Sequence, residues 1–291
     1  MGRRGFSGKN FFPKNLDVAQ WANTAAEAGM KYAILTTKYH DGFCLWPSKY
    51  TEYSVKNSPL QKDIVSLFVD EFRKVGLKVG FYYSLWDRNF DQYEDDKIYS
   101  EYMRNQIREL LECYGDIAEL WFDGAWDKDH PTRNWTYNKE WESNREVINF
   151  HGERWNWSEL YKMIHELQED CLVLNNLGSD RPGEIRYMPI DIRTCEHYDF
   201  IYKEKRCIPN IMGLGKDVHL PLEYCTTLTP DWFWTNKEYF IHPSVETIKG
   251  WYQTARETNS NLLLNVGPNQ EGLIPEYHQQ YLKEVKKLIF K

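Results

Sequence analysis

The sequence predicts an α/β fold in which parallel strands alternate with crossover helices and curve into a barrel. Short apolar runs of strand type alternate with amphipathic helical segments along most of the 291 residues, and this order is typical of a parallel sheet. Polar side chains follow the ends of these strands, where barrels of this kind place their functional groups. No glycine-rich phosphate loop follows the first strand, which disfavours the alternative of a doubly wound, dinucleotide-binding sheet.

The helices are predicted from capping residues, apolar faces and terminal glycines. The segment from Asp17 to Gly29 begins with a residue that can cap a helix and ends with glycine, and the segment from Asp63 to Val75 has the same design. Further helices are predicted at residues 96–114, 158–167 and 244–257, and from Pro275 to the C-terminus.

Seven strand candidates lie between these helices, whereas a closed TIM-type (β/α)8 barrel needs eight. The chain begins with a helix, so the missing strand is the first, and Asn10-Phe-Phe12 is too short to replace it. The predicted fold class is therefore an α/β, TIM-type (β/α)8-like barrel that is incomplete. The strand candidates lie near residues 32, 77, 117, 171, 190, 222 and 261.

Residues 1–291 are interpreted as one barrel domain, because barrels of this length are common. The segment from about 126 to 157 is rich in Asn, Glu, Lys, Arg and Trp and has little periodicity. We interpret it as an insertion over one face of the barrel. A hydrophobic fraction of 42% allows a sizeable core and argues against disorder.

Composition excludes several classes of partner. A net charge of -7 without clustered Lys and Arg disfavours nucleic acid. No apolar run reaches the roughly 18 residues of a membrane span, and no signal peptide follows Met1, so we expect a soluble, cytoplasmic chain with no membrane partner. Six cysteines without a CxxC pair favour buried thiols in a reducing compartment.

Aromatic residues make up 16% of the chain, and many stand beside polar residues in loop-like stretches. Examples are Tyr39-His40-Asp41, Trp86-Asp-Arg-Asn89 and Pro230-Asp-Trp-Phe-Trp234. Sugars offer apolar C–H faces and a rim of hydroxyls, so such mixed surfaces suit them. Plain core packing explains the composition equally well.

Polar residues at predicted strand ends include two carboxylates placed to act together, Asp123 and Glu196. Glycoside cleavage needs such a pair, one carboxylate to attack the anomeric carbon and one to protonate the departing oxygen. The simpler readings are a capping role for Asp123 and a surface or ion-paired role for Glu196. No His and Cys stand at metal-ligand spacing, so no metal and no organic cofactor is predicted. The other strand-end residues are Thr37 to Asp41, Ser84 to Asn89, Asn175-Asn176, His197, Glu223 and Asn265.

Six motifs occur in a fixed order along the chain. They are Lys38-Tyr-His-Asp-Gly-Phe43, Trp46-Pro-Ser-Lys-Tyr-Thr-Glu52, Ser84-Leu-Trp-Asp-Arg-Asn89, Glu119-Leu-Trp-Phe-Asp-Gly124, Pro221-Leu-Glu223 through Trp232-Phe233, and Asn261-Leu-Leu-Leu-Asn-Val-Gly-Pro268. Over roughly residues 15–290 the sequence resembles glycoside hydrolase family 29, the retaining α-L-fucosidases. The second and third motifs resemble the branch that prefers α-1,3/1,4-linked fucose.

The resemblance implies a role for individual residues. Asp123 matches the family nucleophile, and Glu196 matches the acid/base, with Asp191 as the fallback acid. Tyr39 and His40 match the fucose-binding histidine pair, with Tyr39 replacing the first histidine. Further sugar contacts are implied for Tyr82, Trp121 and Trp232, and weaker ones at the pocket rim for Trp46 and Trp86.

The implied function is that of a retaining exo-α-L-fucosidase, which removes terminal α-L-fucose from a fucosylated oligosaccharide or glycoconjugate without a cofactor. A homo-oligomer is left open. The alternative is a non-catalytic or impaired fucoside-binding barrel. Tyr39 motivates it, together with the absence of a counterpart for the family's first strand; no counterpart for the family's C-terminal β-sandwich is predicted either.

Overall fold

A computed structural model describes residues 8–124, 153–176, 187–196, 220–235 and 242–290. Within these ranges the predicted alternation of strands and helices is confirmed. The strands are β1 (Tyr32–Lys38), β2 (Lys78–Ser84), β3 (Glu119–Asp123), β4 (Leu172–Asn175), β5 (Arg193–Glu196), β6 (Leu222–Thr227) and β7 (Asn261–Asn265). The α-helices are α1 (Val18–Glu27), α2 (Ile64–Lys74), α3 (Asp96–Cys113), α4 (Trp157–Leu167), α5 (Val245–Glu257) and α6 (Glu276–Ile289).

The helices begin and end where the sequence predicts, because the local signals are satisfied. Asp17 and Asp63 accept hydrogen bonds from backbone N–H groups in the first turns of α1 and α2. Gly29 and Gly76 follow these helices with φ of 81° and 79°, a left-handed conformation that glycine adopts without steric strain. Within the described residues, no helix has both the length and the apolar character that crossing a bilayer requires.

The pairings between strands of the described ranges are all parallel and form two sheets there, β1-β2-β3-β4 and β5-β6-β7. The chain entering β5 joins the first sheet to the second, since the backbone N–H of Asp191 donates to the carbonyl of Val173 in β4 at 2.9 Å. Side chains of both sheets then meet in one interior cluster. Its members include Ile34, Trp121, Leu174, Ile192, Cys225 and Leu263.

Among the described residues no strand pairs with both β1 and β7, and side chains connect the starts of these two strands instead. Residues 11–17 form no strand there; Asn15 and Asp17 instead donate backbone hydrogen bonds to the loop before α6. At the start of β1, the hydroxyl of Tyr32 is hydrogen-bonded to Glu223 of β6 and to Asn261 of β7. The open side of the barrel is therefore held by polar contacts between strand starts.

Alternation along β3 separates the helix layer from the barrel interior. Leu120 and Phe122 are fully buried among the helices, whereas Glu119, Trp121 and Asp123 share the other face by the period of two. The sequence of β3 therefore places a charged, an aromatic and a second charged side chain along one interior line.

The predicted insertion at 126–157 falls mostly outside the described residues, since 125–152 are not described. Its last residues belong to the main core. Trp155 and Trp157 are fully buried, and the indole N–H of Trp155 donates to the hydroxyl of Tyr187 at 3.0 Å.

Among the five cysteines described, four are buried and Cys113 is exposed.

Candidate active site

Asp123 is the last residue of β3 and lies at the carboxyl end of the sheet. Its side chain is 19% exposed, so water and a ligand can reach it. The hydroxyl of Tyr82 donates to Oδ2 at 2.6 Å, and the amide of Asn176 donates to Oδ1 at 3.2 Å. Two donors from different elements hold this carboxylate in one orientation.

Tyr82 remains a hydrogen-bond donor because burial, followed by the charge of Asp123, raises the pKa of its phenol. Tyr82 lies on β2 and pairs in register with Trp121 of β3, so its ring stacks on the indole at 5.4 Å between centroids. Neighbouring parallel strands thus supply both the carboxylate and the group that orients it.

His40 lies beside Asp123 as a neutral imidazole. Burial lowers its pKa to about 4. The hydroxyl of Ser84 donates to the carbonyl of Trp86 at 2.7 Å, so its single proton is committed there, and Nδ1 of His40 must donate to Ser84 Oγ at 2.7 Å. Nε2 then carries a lone pair, and it lies 3.7 Å from Asp123 Oδ2, beyond hydrogen-bonding distance.

The loops that carry these groups are fixed to each other by a buried ion pair. Lys38 Nζ lies 3.1 Å from Asp87 Oδ2, and both side chains are at most 1% exposed. The ammonium also lies 4.3 Å from the ring centroid of Tyr83. Nearby, the backbone N–H of Arg88 donates to the carbonyl of His40 at 3.0 Å. The loops after β1 and β2 are therefore held side by side, which the sequence did not predict.

Aromatic rings form one wall of the site. Tyr39 lies 4.0 Å from the ring of His40 and stacks on Tyr82 at 6.2 Å, while Phe233 meets it edge-on at 4.8 Å. Burial raises the pKa of Tyr39, and the charges of Asp123 and Glu196 add to this effect. The phenol therefore stays neutral at the position where the motif resemblance implies a histidine.

The structure brings together six of the seven predicted sugar-binding residues. Trp86 lies 5.5 Å from the ring of His40, and Trp232 packs against the interior cluster that contains Trp121. Trp46 is the exception. It is 2% exposed in the main core, and its indole donates to Glu109 on α3 at 3.0 Å, so the structure does not bring it to the pocket rim.

Glu196 is the last residue of β5, at the same end of the barrel as Asp123. The two carboxylates act on the same groups, since the charges of both raise the pKa of Tyr39 and of Tyr82. The fallback residue Asp191 lies before β5 and accepts hydrogen bonds from Tyr161, His165 and the backbone of Val173. Asp191 therefore serves packing between α4 and the strands, which favours Glu196 as the second carboxylate.

Glu223 is not at a carboxyl end, contrary to the expectation from sequence. It is the second residue of β6, fully buried at the opposite end of the interior, because β6 begins one residue before it.

Among the described residues, no group of three or more His, Cys, Asp or Glu is arranged to hold a metal ion. The absence of a cofactor remains a prediction.

Strand-end carboxylates within an aromatic wall on a parallel α/β barrel define the class as glycoside hydrolase. The sequence model of the alpha-L-fucosidase family matches residues 6–289, and the chain belongs to that family. Alpha-L-fucosidase 1 of Arabidopsis thaliana is 31% identical over 96% of this chain and 52% of its own length. The chain spans about half the length of the curated relatives it matches.

Solved structures agree with this assignment. Alpha-L-fucosidase isoenzyme 1 of Paenibacillus thiaminolyticus is 33% identical, with a TM-score of 0.73 over 97% of this chain and 65% of that one. A glycoside hydrolase 29 family member from an unknown rumen bacterium is 34% identical, with a TM-score of 0.77 over 99% of this chain and 52% of that one. The TIM-type fold class predicted from sequence is confirmed.

Proposed function

We propose that this chain hydrolyses terminal α-L-fucosides with retention of the anomeric configuration. The observation that carries the proposal is the setting of Asp123. It is partly exposed at a strand end, oriented by Tyr82 and Asn176, and close enough to Glu196 that both charges act on the same phenols. An oriented carboxylate beside a second carboxyl group is what double displacement requires.

In the first step, an oxygen of Asp123 attacks the anomeric carbon. The bond from that carbon to the leaving oxygen breaks, and Glu196 gives its proton to the departing group. Tyr82 and Asn176 hold the attacking carboxylate in a single orientation, which reduces the entropy lost on reaching the transition state.

In the second step, the ionised Glu196 accepts a proton from water, and the resulting hydroxide-like oxygen attacks the anomeric carbon. The bond to Asp123 breaks, fucose leaves, and Glu196 ends protonated as it began. Both groups are regenerated, so the cycle consumes only the glycoside and one water molecule.

The substrate proposed is a fucosylated oligosaccharide or glycoconjugate. Rings of Tyr39, Tyr82 and Trp86 border the carboxylate and suit the apolar faces of a sugar, while His40 offers an acceptor to a hydroxyl. Phe233 is 42% exposed at the edge of this wall, where it can meet the sugar beyond the fucose. The motif resemblance favours an α-1,3 or α-1,4 linkage.

Two measurements test the proposal. The first is release of phenol from an aryl α-L-fucoside by the wild type, by Asp123→Ala and by Glu196→Ala, in which both variants should be strongly impaired. The second is proton NMR of the fucose released first. Retention gives the α-anomer before mutarotation, and initial appearance of the β-anomer would contradict double displacement.

A fucoside-binding protein without hydrolysis is the second candidate, favoured by Tyr39 at the position of a family histidine. Calorimetry with L-fucose separates the two functions, since binding without turnover supports this alternative. The variant Tyr39→His sharpens the comparison. A gain of turnover over an inactive wild type would identify the phenol as the cause of impairment.

A further inference from the structure

A second pair of carboxylates lies at the far end of the barrel interior, away from the site described above. Glu119 at the start of β3 is 4% exposed, and Glu223 near the start of β6 is fully buried. Neither has a part in the proposed displacement. Two acidic side chains inside a barrel core need a physical reason, because burying charge is unfavourable unless donors surround it.

Glu223 has such donors, and they come from three other strands. Tyr32 of β1 and Asn261 of β7 donate to Oε2, and the indole N–H of Trp121 on β3 donates to Oε1 at 3.0 Å. Glu119 differs, since its Oε1 has no hydrogen-bond partner among the described residues. Glu223 is therefore the carboxylate that organises its neighbours.

The contact with Trp121 leads from Glu223 to the reacting carboxylate. The indole has a single polar atom and is 4% exposed, so this hydrogen bond fixes the rotation of the ring. The ring stacks on Tyr82 at an interplanar angle of 20°, and the hydroxyl of Tyr82 donates to Asp123 at 2.6 Å. The hydrogen bond to Glu223 restricts the indole of Trp121, and the stacked indole in turn restricts the ring of Tyr82.

We propose that Glu223 is a positioning residue for the reaction, which holds Trp121 as the floor of the sugar pocket and, through Tyr82, sets the orientation of Asp123. The inference rests on the proposed hydrolysis. It also explains why a barrel core retains an acidic group at this depth, since a hydrophobic side chain offers the indole no acceptor.

Kinetic comparison of three variants tests this role. Glu223→Met removes the acceptor at similar volume, and Trp121→Phe removes the donor but retains a ring. Each should lower kcat on an aryl α-L-fucoside by about 10- to 100-fold, with KM changed less than kcat, because misplacement by even one ångström slows a reaction on that scale. Glu223→Gln retains a carbonyl acceptor for the indole and should recover most of the lost kcat.

Combining the changes separates positioning from general damage. If the two residues act as one unit, Trp121→Phe with Glu223→Met should be no slower than the slower single variant. Glu119→Gln, the matched control without a bond to Trp121, should retain kcat within about threefold. Wild-type kcat in Trp121→Phe would overturn the proposal, and this outcome does not depend on whether Glu223→Met folds.

An indole N–H spectrum of protein with 15N-labelled tryptophan distinguishes failure of this inference from failure of the proposed function. Trp121→Phe assigns the signal among the 12 tryptophans. We expect a downfield shift in the wild type that decreases in Glu223→Gln, where a neutral acceptor replaces a charged one. Absent turnover with this response intact overturns hydrolysis alone. A signal unchanged by Glu223→Gln overturns the positioning role.

Discussion

Two pairs of carboxylates occupy one barrel interior, and they differ in depth. Asp123 and Glu196 end their strands, and Asp123 is partly exposed and oriented by donors from neighbouring strands. Glu119 and Glu223 lie near the starts of β3 and β6, where neither reaches water. Glu119 and Asp123 share one strand face about 13 Å apart, four residues at roughly 3.3 Å each.

Depth decides how each carboxyl group behaves. Burial raises the pKa of Glu119 well above its ordinary value, and the nearby charge of Glu223 adds to the shift. Burial also raises the pKa of Glu223, to about 7, against the lowering effect of Tyr32, Trp121 and Asn261. Glu119 and Glu223 therefore retain a proton near neutrality and position the side chains around them. Asp123 and Glu196 are the pair that we propose reacts with a ligand.

The largest expected effect follows replacement of Asp123, the proposed nucleophile. Asp123→Asn should lower kcat on an aryl α-L-fucoside on the order of 10³-fold or more, because an amide is a poor nucleophile toward the anomeric carbon. Asp191→Asn is the matched control, since it changes a carboxylate that serves packing, and should retain kcat within about threefold. Equal activity in the two variants would remove the functional distinction between Asp123 at the end of β3 and Asp191 before β5.

Glu196→Gln should have a large effect that depends on the leaving group. With a fucosylated oligosaccharide we expect kcat to decrease by about 10²- to 10⁴-fold, because the departing hydroxyl needs a proton. With an aryl fucoside that has an acidic phenol, loss of the first-step proton matters less. The measurement is the ratio of the two losses in kcat/KM, which reports the first step alone, and equal losses on both substrates would argue against an acid role.

The buried pair Glu119 and Glu223 should make the free energy of unfolding depend on pH. A native carboxyl group with a raised pKa keeps a proton that the unfolded chain releases near pH 4.5, so the free energy of unfolding falls as pH rises from there toward about 7. Glu119→Gln should flatten this fall by up to about 1.4 kcal/mol per pH unit. Urea titrations of both proteins between these pH values measure the difference, and identical slopes would show that Glu119 does not hold the proton.

The smallest effect on activity is expected from Trp46→Phe. Trp46 and Trp121 are both buried indoles bound to a carboxylate at 3.0 Å, but Trp46 binds Glu109 in the main core. Its replacement should decrease the free energy of unfolding by roughly 1–3 kcal/mol and leave kcat within about twofold. A large loss of kcat in a folded Trp46→Phe would place this indole in the pocket after all.

Much of the fold follows from local signals in the sequence. Helix caps such as Asp17 and terminal glycines such as Gly29 act within a few residues, so their positions were predicted closely. The interior order of Glu119, Trp121 and Asp123 follows from the period of two along a strand. The strand ends also predicted that Asp123 and Glu196 face one site.

Long-range partners were harder to predict, because spacing along the chain does not reveal which side chains meet. The pairing of Lys38 with Asp87, and of Trp46 with Glu109, joins residues from different elements. Trp46 stands in a motif rich in loop residues, so a rim position and a core position look alike in sequence. The start of β6 near residue 222 was predicted, but the depth of Glu223 was missed because it was grouped with the strand-end residues although it is the second residue of the strand.

The imidazole of His40 gives the pocket a preference for the charge of its ligands. With Nδ1 committed to Ser84, Nε2 offers only a lone pair, and Asp123 across from it offers only anionic oxygens. The two acceptors lie 3.7 Å apart, so a ligand group that contacts both must donate two protons, which an ammonium does better than a hydroxyl. Sugar mimics with a basic ring nitrogen should therefore bind more tightly than fucose, and most tightly at a pH where the amine is charged.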